Sequence, residues 1–418
     1  MAYSDKSIDY LRKLRESGLD WGEITDEWND AFAEPEGKKT LNALRKSYRR
    51  YMDVDELSDD TLIKNLQSTQ TAKKRASKLA KENKVILESH IFEQNFLTEL
   101  EAINKACPIK LHKIVKLKKK KKLTRTIVAH LSDTHIGVNI KRKEMGGINE
   151  FNPTVAARRF AFFFKTLSQY KLDHREDTDL VIVLNGDIFA GVIHGLEGGV
   201  LPMATQFGIG LRIFSEGISF IAQHFSKVKI VGLTGNHDRY MHKDNKGRQS
   251  DQKWDSFATN LYTSLDRVFK DYKNVSFEIP STPYAIFDIQ GHKFFATHGD
   301  TVLNLGNPGK SINTESITKQ VNNISTGLGE KIDVVMAAHV HKSTYQSLDN
   351  GSNLVINGTL SGTDAFAQSI GILSNNPIQQ MFEVTPDHKV GDMRFVRLEE
   401  ADKDEELDKI IAPLEELY

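Results

Sequence analysis

From residue 126 onward, short apolar runs alternate with longer amphipathic stretches. Ile127 to Leu131, Leu180 to Leu184 and Val228 to Leu233 are rich in branched aliphatic residues and read as buried strands. Further strands are predicted at Val275 to Ile279, Tyr284 to Ile289, Lys293 to Thr297, Val334 to Ala337 and Leu354 to Asn357. Helical periodicity at Pro153 to Tyr170, Gly208 to Phe225 and Gln252 to Tyr272 separates the earlier strands. Alternation followed by closely spaced strands predicts an α/β fold, with two sheets face to face and helices outside.

Upstream, the pattern is helical throughout. Ile8, Leu11 and Leu14 share one helical face; Trp21, Ile24, Trp28 and Phe32 repeat at helical spacing; and Thr40 to Tyr51 turns Leu41, Leu44 and Tyr48 inward. Lys39, Arg45, Lys46, Arg49 and Arg50 fall on the outer side of that third helix. Such a trio suits either a helix-turn-helix module that reads DNA or a small bundle with a solvated charged face. Thr61 to Ala106 follows as polar helix without a sustained heptad stripe. Lys118, Lys119, Lys120, Lys121 and Lys122 then form the densest charge run, either solvated or in contact with a phosphate backbone. The resulting division is a small all-α domain over 1–52, a helical and Lys-rich linker over 53–123, an α/β domain over 124–398 and an acidic tail over 399–418. In the tail, Leu407, Ile410, Ile411 and Leu414 are expected to dock one face of a helix.

A length of 418 residues exceeds one average domain, and a formal net charge of +0 means that a polyanion must be met by a local patch. Cys107 is the sole cysteine, which excludes an intramolecular disulfide and points to a reducing compartment. No apolar run approaches the ~18 residues that span a bilayer, and Met1 to Lys6 carries no basic stretch leading into an apolar core. The expectation is a soluble cytoplasmic protein without a membrane partner.

The chemistry sits where strands end. Asp133 and His135, two apart, point the same way in extended chain and can share a cation, as can His339 and His341. Asp187 offers two oxygens able to bridge two ions, while Asn236 and His298 complete a mixed nitrogen and oxygen set. A single His or Asp at a strand end is ordinarily a hydrogen-bonded turn residue. Five such sites in one domain gather on one sheet edge, and charges so concentrated repel unless a cation holds them.

The ordered series Asp133-x-His135, Gly186-Asp187, Gly235-Asn236-His237-Asp238, His298 and His339-x-His341 resembles the calcineurin-like metallophosphoesterase superfamily over residues 126–385. One departure is Ala338, where the family usually has Gly. The resemblance implies a two-sheet sandwich with a dinuclear centre. One metal is implied at Asp133, His135, Asp187 and His341, and a second at Asp187, Asn236, His298 and His339. It also implies that His237 serves the leaving oxygen or the transition state while Asp238 orients the loop, so that these two form the catalytic pair. Mixed His, Asp and Asn ligation suits Mn2+ first, with Fe2+ or Zn2+ as other occupants.

Within the superfamily, Leu131 to Gly137 and Gly186 to Phe189 are most similar to the exonucleases of double-strand-break repair. Ala190-Gly191 and Asp238 stand where protein phosphatases carry Asp-Arg and Glu. The long intervals between motifs hold Lys141-Arg142-Lys143 and a Gly-rich stretch with His194, a residue for a substrate loop, and a basic rim of His242, Lys243, Lys246 and Arg248 lies just beyond the central motif. The expected activity is a DNA nuclease, endo or exo. Its alternatives are a phosphatase, a cyclic-nucleotide phosphodiesterase, or a DNA-binding adaptor with an auxiliary phosphoesterase domain. Pairing into a homodimer is a further expectation, since both helix-turn-helix modules and repair exonucleases tend to pair.

Overall fold

In the computed structural model of the chain, residues 3–55, 59–106, 108–114, 125–173, 178–192, 200–240, 256–306, 311–364, 368, 371 and 376–414 are described. The chain divides into two compact units, Met1–Glu93 and Gln94–Tyr418.

The first unit contains α1 (Asp5–Glu16), α2 (Trp21–Glu36) and α3 (Leu41–Asp55). Asp20 opens α2 by accepting from the Gly22 and Glu23 amides, while Glu23 reaches back to the Asp20 amide and completes a capping box. Leu11, Ile24, Trp28 and Leu44 form its apolar centre, as their periodicity predicts. The Trp28 indole satisfies its own donor on the Ser7 carbonyl at 3.0 Å. α4 (Asp59–Ala106) follows as one continuous helix whose last turns belong to the second unit, where Phe96 meets Phe207 and Phe257.

Two sheets build the second unit. The first runs β11 (Met393–Arg397), β10 (Ile378–Val384), β1 (Thr126–Leu131), β2 (Asp179–Asn185), β3 (Val228–Leu233) and β4 (Val275–Glu278). Its strands β1 to β4 are parallel, and β10 and β11 join antiparallel. The second runs β5 (Tyr284–Ile289), β6 (His292–Thr297), β7 (Val334–Ala337), β9 (Asn353–Ile356) and β8 (Thr344–Ser347), with β6, β7 and β9 parallel. Period-two alternation divides their apolar side chains between layers. Val128, Val183 and Val231 meet Phe294, Met336 and Val355 between the sheets. On the outer side, Ile127, Ala129 and Leu131 pack beneath α5 (Pro153–Asp173), α6 (Met203–Ile221) and α7 (Phe257–Val268). α8 (Thr314–Leu328) covers the second sheet through Ile317 and Val321. The two-sheet sandwich with outer helices is therefore the fold predicted from the alternation.

Three strands and one helix escape the apolar pattern. β10 carries Gln379 and Gln380 in mid-strand, yet both are wholly buried. β8 and β11 lie at sheet edges and read as polar, and α8 carries only a narrow apolar stripe. The tail corrects the predicted helix: Leu398–Lys403 and Leu407–Lys409 form short 3-10 turns. There the Asp404 carboxylate accepts from the Glu406 amide between the turns, and Pro413 lacks the N–H that a helix would need. Leu407, Ile410, Ile411 and Leu414 are nonetheless buried, so the docking face is as expected. Among the described residues, no helix is long and apolar enough to cross a membrane.

Candidate metal centre

Every proposed ligand follows a parallel strand at its C-terminal end. β1 leads to Asp133 and His135, β2 to Asp187, β3 to Asn236, β6 to His298, and β7 to His339 and His341. Six non-glycine residues among those described have a left-handed backbone, and five belong to this set: Asp133 (φ 47°), His135 (43°), Asp187 (51°), His339 (72°) and His341 (58°). That conformation costs roughly 1–2 kcal/mol per residue and persists only where neighbours over-determine it. Here they do. The Asp133 amide donates to the Gly186 carbonyl at 3.0 Å, and the Thr134 and His135 amides both donate to the Asp187 carbonyl, locking the β1 and β2 loops together. Ala338 itself is not left-handed, so replacing the family's glycine carries no backbone strain; the turn falls on His339 instead.

The third loop is clipped to the second by Asp238. Its buried carboxylate accepts from the amides of Asp187 (2.9 Å), Ile188 (2.9 Å), Phe189 (3.2 Å) and Gly235 (2.7 Å). Burial and the neighbouring Asp187 push its pKa up to about 6. With both oxygens held by backbone amides, Asp238 shapes the loop.

The side chains converge into overlapping groups. Asp133, His135 and His341 form one and Asp187, His298 and His339 another; a third brings Asp187 together with His135 and His237. Asp187 thus stands where a bridging carboxylate is required. His341 Nε2 lies 3.3 Å from Asp133 Oδ1, and His298 Nε2 lies 3.1 Å from Asp187 Oδ2. Asn236 Oδ1 is buried and makes no hydrogen bond among the described residues, while Asp133 Oδ1 and His298 Nε2 have only the contacts with His341 and Asp187 just given. Buried polar atoms left this way are unfavourable unless a further partner takes their lone pairs, so the donor set fits cations.

Second partners orient these ligands. His298 Nδ1 donates to the Asn185 carbonyl at 2.8 Å, which leaves Nε2 as the nitrogen that could ligate a cation. Ser132 Oγ donates to Asp133 Oδ2 at 2.8 Å and in turn accepts from Asn357 Nδ2 at 3.0 Å. Asn357 also donates to Gln379 Oε1, and Thr359 Oγ1 donates to the Asp133 carbonyl. The sequence reading did not single out these residues. Asn357-Gly358-Thr359 closes an apolar strand and carries the same strand-end signal as the ligands, whereas nothing local marks Gln379.

Electrostatics divides the imidazoles into two kinds. Burial, with His237 and His341 nearby, lowers His135 to about 3, and burial with His298 lowers His339 to about 4. Burial also disfavours charge on His298 and His341, but Asp187 outweighs it and lifts His298 to about 10, while Asp133 lifts His341. Burial would raise the two carboxylates, yet His341 holds Asp133 below its ordinary value and His298 holds Asp187 well below. His237 is half-buried beside His135, with its amide donating to Asp187 Oδ1 at 2.8 Å. Its Nδ1 donates to the Ala190 carbonyl at 3.0 Å.

The proposed DNA contacts divide differently. Arg45, Lys46, Arg49 and Arg50 are exposed along α3. The Arg45 guanidinium also lies over the Trp21 ring, at 5.4 Å. Lys39 is engaged within the unit, donating to the Glu36 carbonyl at 2.7 Å and covering Tyr3. His194, the run Lys118 to Lys122, and His242, Lys243, Lys246 and Arg248 lie outside the described residues.

Residues 127–343 match the family model of the calcineurin-like phosphoesterases. No curated protein matches the chain in sequence. Among solved structures, it is similar to the 5'-nucleotidase of Candida albicans at 13% identity, covering 70% of this chain and 58% of that one with a TM-score of 0.34. A dimetal phosphatase from Danio rerio matches at 9% identity over 65% of this chain and 99% of its own, with a TM-score of 0.32. Vps29 from Chaetomium thermophilum matches at 8% identity over 65% and 95%, with a TM-score of 0.26. The chain therefore spans little more than half the length of the Candida nucleotidase.

Proposed function

The chain belongs to the calcineurin-like phosphoesterase family, and from that premise we propose that it is a metal-dependent phosphodiesterase whose substrate is DNA. The hydrolytic part rests on Asp187, which groups with His298 and His339 on one side and with His135 and His237 on the other. Two divalent ions, Mn2+ by preference, would when bound there supply an activated water and charge neutralisation at the phosphoryl oxygens. The chain's own residues do the rest. Asp133, His135, Asp187 and His341 would hold one ion, and Asp187, Asn236, His298 and His339 would hold the other. His237, fixed through Nδ1–H, turns Nε2 to the leaving oxygen; as the imidazolium it gives up the Nε2 proton there and returns to the neutral Nδ1–H form.

The observation that carries the choice of DNA is the exposed Arg45, Lys46, Arg49 and Arg50 edge on a separately packed helical unit. A tether of this kind raises local substrate concentration without contacts at the metals.

The test compares linear, circular and single-stranded DNA with bis(p-nitrophenyl) phosphate, using the full chain with Mn2+. Asp187→Ala should lose metal and all activity, and His237→Ala should keep metal while losing rate. Lys46→Glu/Arg49→Glu/Arg50→Glu should weaken DNA cleavage most at low salt and flatten its salt dependence, yet leave the small ester unaffected. Cleavage of the small ester with every DNA left intact overturns the DNA reading and favours a small-molecule phosphoesterase.

A further inference from the structure

Gln206 is wholly buried in the first turn of α6, and its hydrogen bonds go to loop backbone beside His237. Its Oε1 accepts from the Gly191 amide at 2.9 Å. Its Nε2 donates to the Leu201 carbonyl at 2.7 Å and to the Gly191 carbonyl at 3.3 Å. The Gly191 N–H belongs to the same peptide unit as the Ala190 carbonyl, which accepts from His237 Nδ1 at 3.0 Å. A peptide unit is planar, so fixing its N–H fixes the direction of its C=O. Hydrogen bonds in series through one amide also polarise one another. Gln206 and His237 are thus the two ends of a three-member relay.

Close packing keeps that relay in register. A Cβ on Gly191, whose φ is +69°, would fall 1.9 Å from the His237 carbonyl oxygen. A Cβ on Gly137 would fall 2.3 Å from Gln206 Cγ. The Leu201 amide donates to the Gly137 carbonyl and the Ala190 amide to the Ile136 carbonyl, so the β1 loop, the β2 loop and the start of α6 all meet at this side chain.

We infer that Gln206 is a positioning residue for His237: by orienting the Ala190–Gly191 peptide it keeps Nδ1–H on the Ala190 carbonyl, so that the proton the imidazolium gives to the leaving oxygen is the one on Nε2 and the neutral ring left behind is the Nδ1–H tautomer. The inference rests on the reading of His237 as the group that protonates the leaving oxygen.

Gln206→Met conserves volume and removes both hydrogen-bonding functions. A nucleoside alkoxide needs a proton to leave, whereas p-nitrophenolate does not. With Mn2+, Gln206→Met should lower kcat on a dinucleotide by about 10- to 100-fold, part of the ~10²–10⁴ that a positioned acid supplies, with KM nearly unchanged. On bis(p-nitrophenyl) phosphate the loss should stay within about threefold, because little proton transfer is required there. A purely structural role would lower both rates together, in step with metal content. Ring 15N shifts, assigned by the signal lost in His237→Ala, give a readout independent of activity. The wild type should show one tautomer and Gln206→Met a mixture. Gln206→Glu, which keeps the acceptor facing Gly191, should retain the single tautomer and serves if the Met variant does not fold. A single tautomer in Gln206→Met, or equal losses on both esters, overturns the inference. Wild-type protein inert toward both esters refutes the proposed function instead, and the tautomer measurement still decides the role of Gln206.

Discussion

Gly235→Ala isolates the role of Asp187 without touching a ligand. Gly235 is not among the left-handed glycines, so alanine meets no backbone penalty there. The obstacle is steric: an added Cβ would lie 2.0 Å from Asp187 Oδ1, 2.3 Å from its amide nitrogen and 2.7 Å from its carboxyl carbon. Carbon contacts normally settle at about 3.5–4.0 Å, so the carboxylate and the Asp187 backbone that carries it must both retreat by at least about 1 Å. Metal–ligand distances tolerate only about 0.2 Å, and a misplacement of this size near the chemistry can cost about 10²-fold in rate. Retreat also breaks the bond from the His237 amide to Asp187 Oδ1, worth about 1 kcal/mol. The fold itself should survive, since overpacking of this kind costs about 1–3 kcal/mol. The expected outcome is a folded protein, by circular dichroism and denaturant titration, that binds at most one ion per chain by elemental analysis. Its turnover of bis(p-nitrophenyl) phosphate should fall at least about 100-fold. A variant that keeps both ions and wild-type turnover refutes Asp187 as the shared ligand and the close approach of the two loops as its cause.

Metal binding should release protons and tighten as pH rises, because Asp187 lifts metal-free His298 to about 10 and Asp133 lifts His341, and both must deprotonate to ligate. The same pairing stabilises the metal-free fold below the ordinary histidine value of 6.5, and the His298 contribution fades as pH climbs through about 10. Calorimetry in buffers of different ionisation enthalpy measures the protons, and none released contradicts the arrangement. Glu216, buried on α6, accepts from the amides of Lys110 (3.1 Å) and Ala412 (2.8 Å) and pairs with Arg212. Glu216→Ala leaves that cation buried and unpaired, and should cost about 3–5 kcal/mol in urea unfolding while metal content stays full. Protease resistance of 108–114 and the tail should fall with it; an unchanged unfolding midpoint would count against this hub.

Much of the site is legible because its ligands are placed locally. A strand ending in Asp-x-His, Gly-Asp, Asn-His or His-x-His announces polar groups at a sheet edge, and the order of those endings carries the family resemblance. The first unit is legible for the same reason: its helical spacing names Leu11, Ile24, Trp28 and Leu44 directly. β10 is not, because its two buried glutamines find partners or burial that only the neighbouring strands supply, as Gln379 does on Ser132.

What the chain determines by itself is which residues arrive at strand ends and in what order, since strand period and turn chemistry act over a few positions. Tertiary structure alone decides that loops from two sheets meet closely enough for Asp187 to group with His135 on one side and with His298 and His339 on the other. It also decides that Asp133, His135, His339 and His341 are held left-handed and that Asp238 ties four amides across two loops. Gln206 belongs to the same class, fifteen positions from its partner Gly191 and invisible in any local pattern. The physical reason is that strained backbone and buried polar atoms are unfavourable one at a time; they become tolerable only when distant segments satisfy them together.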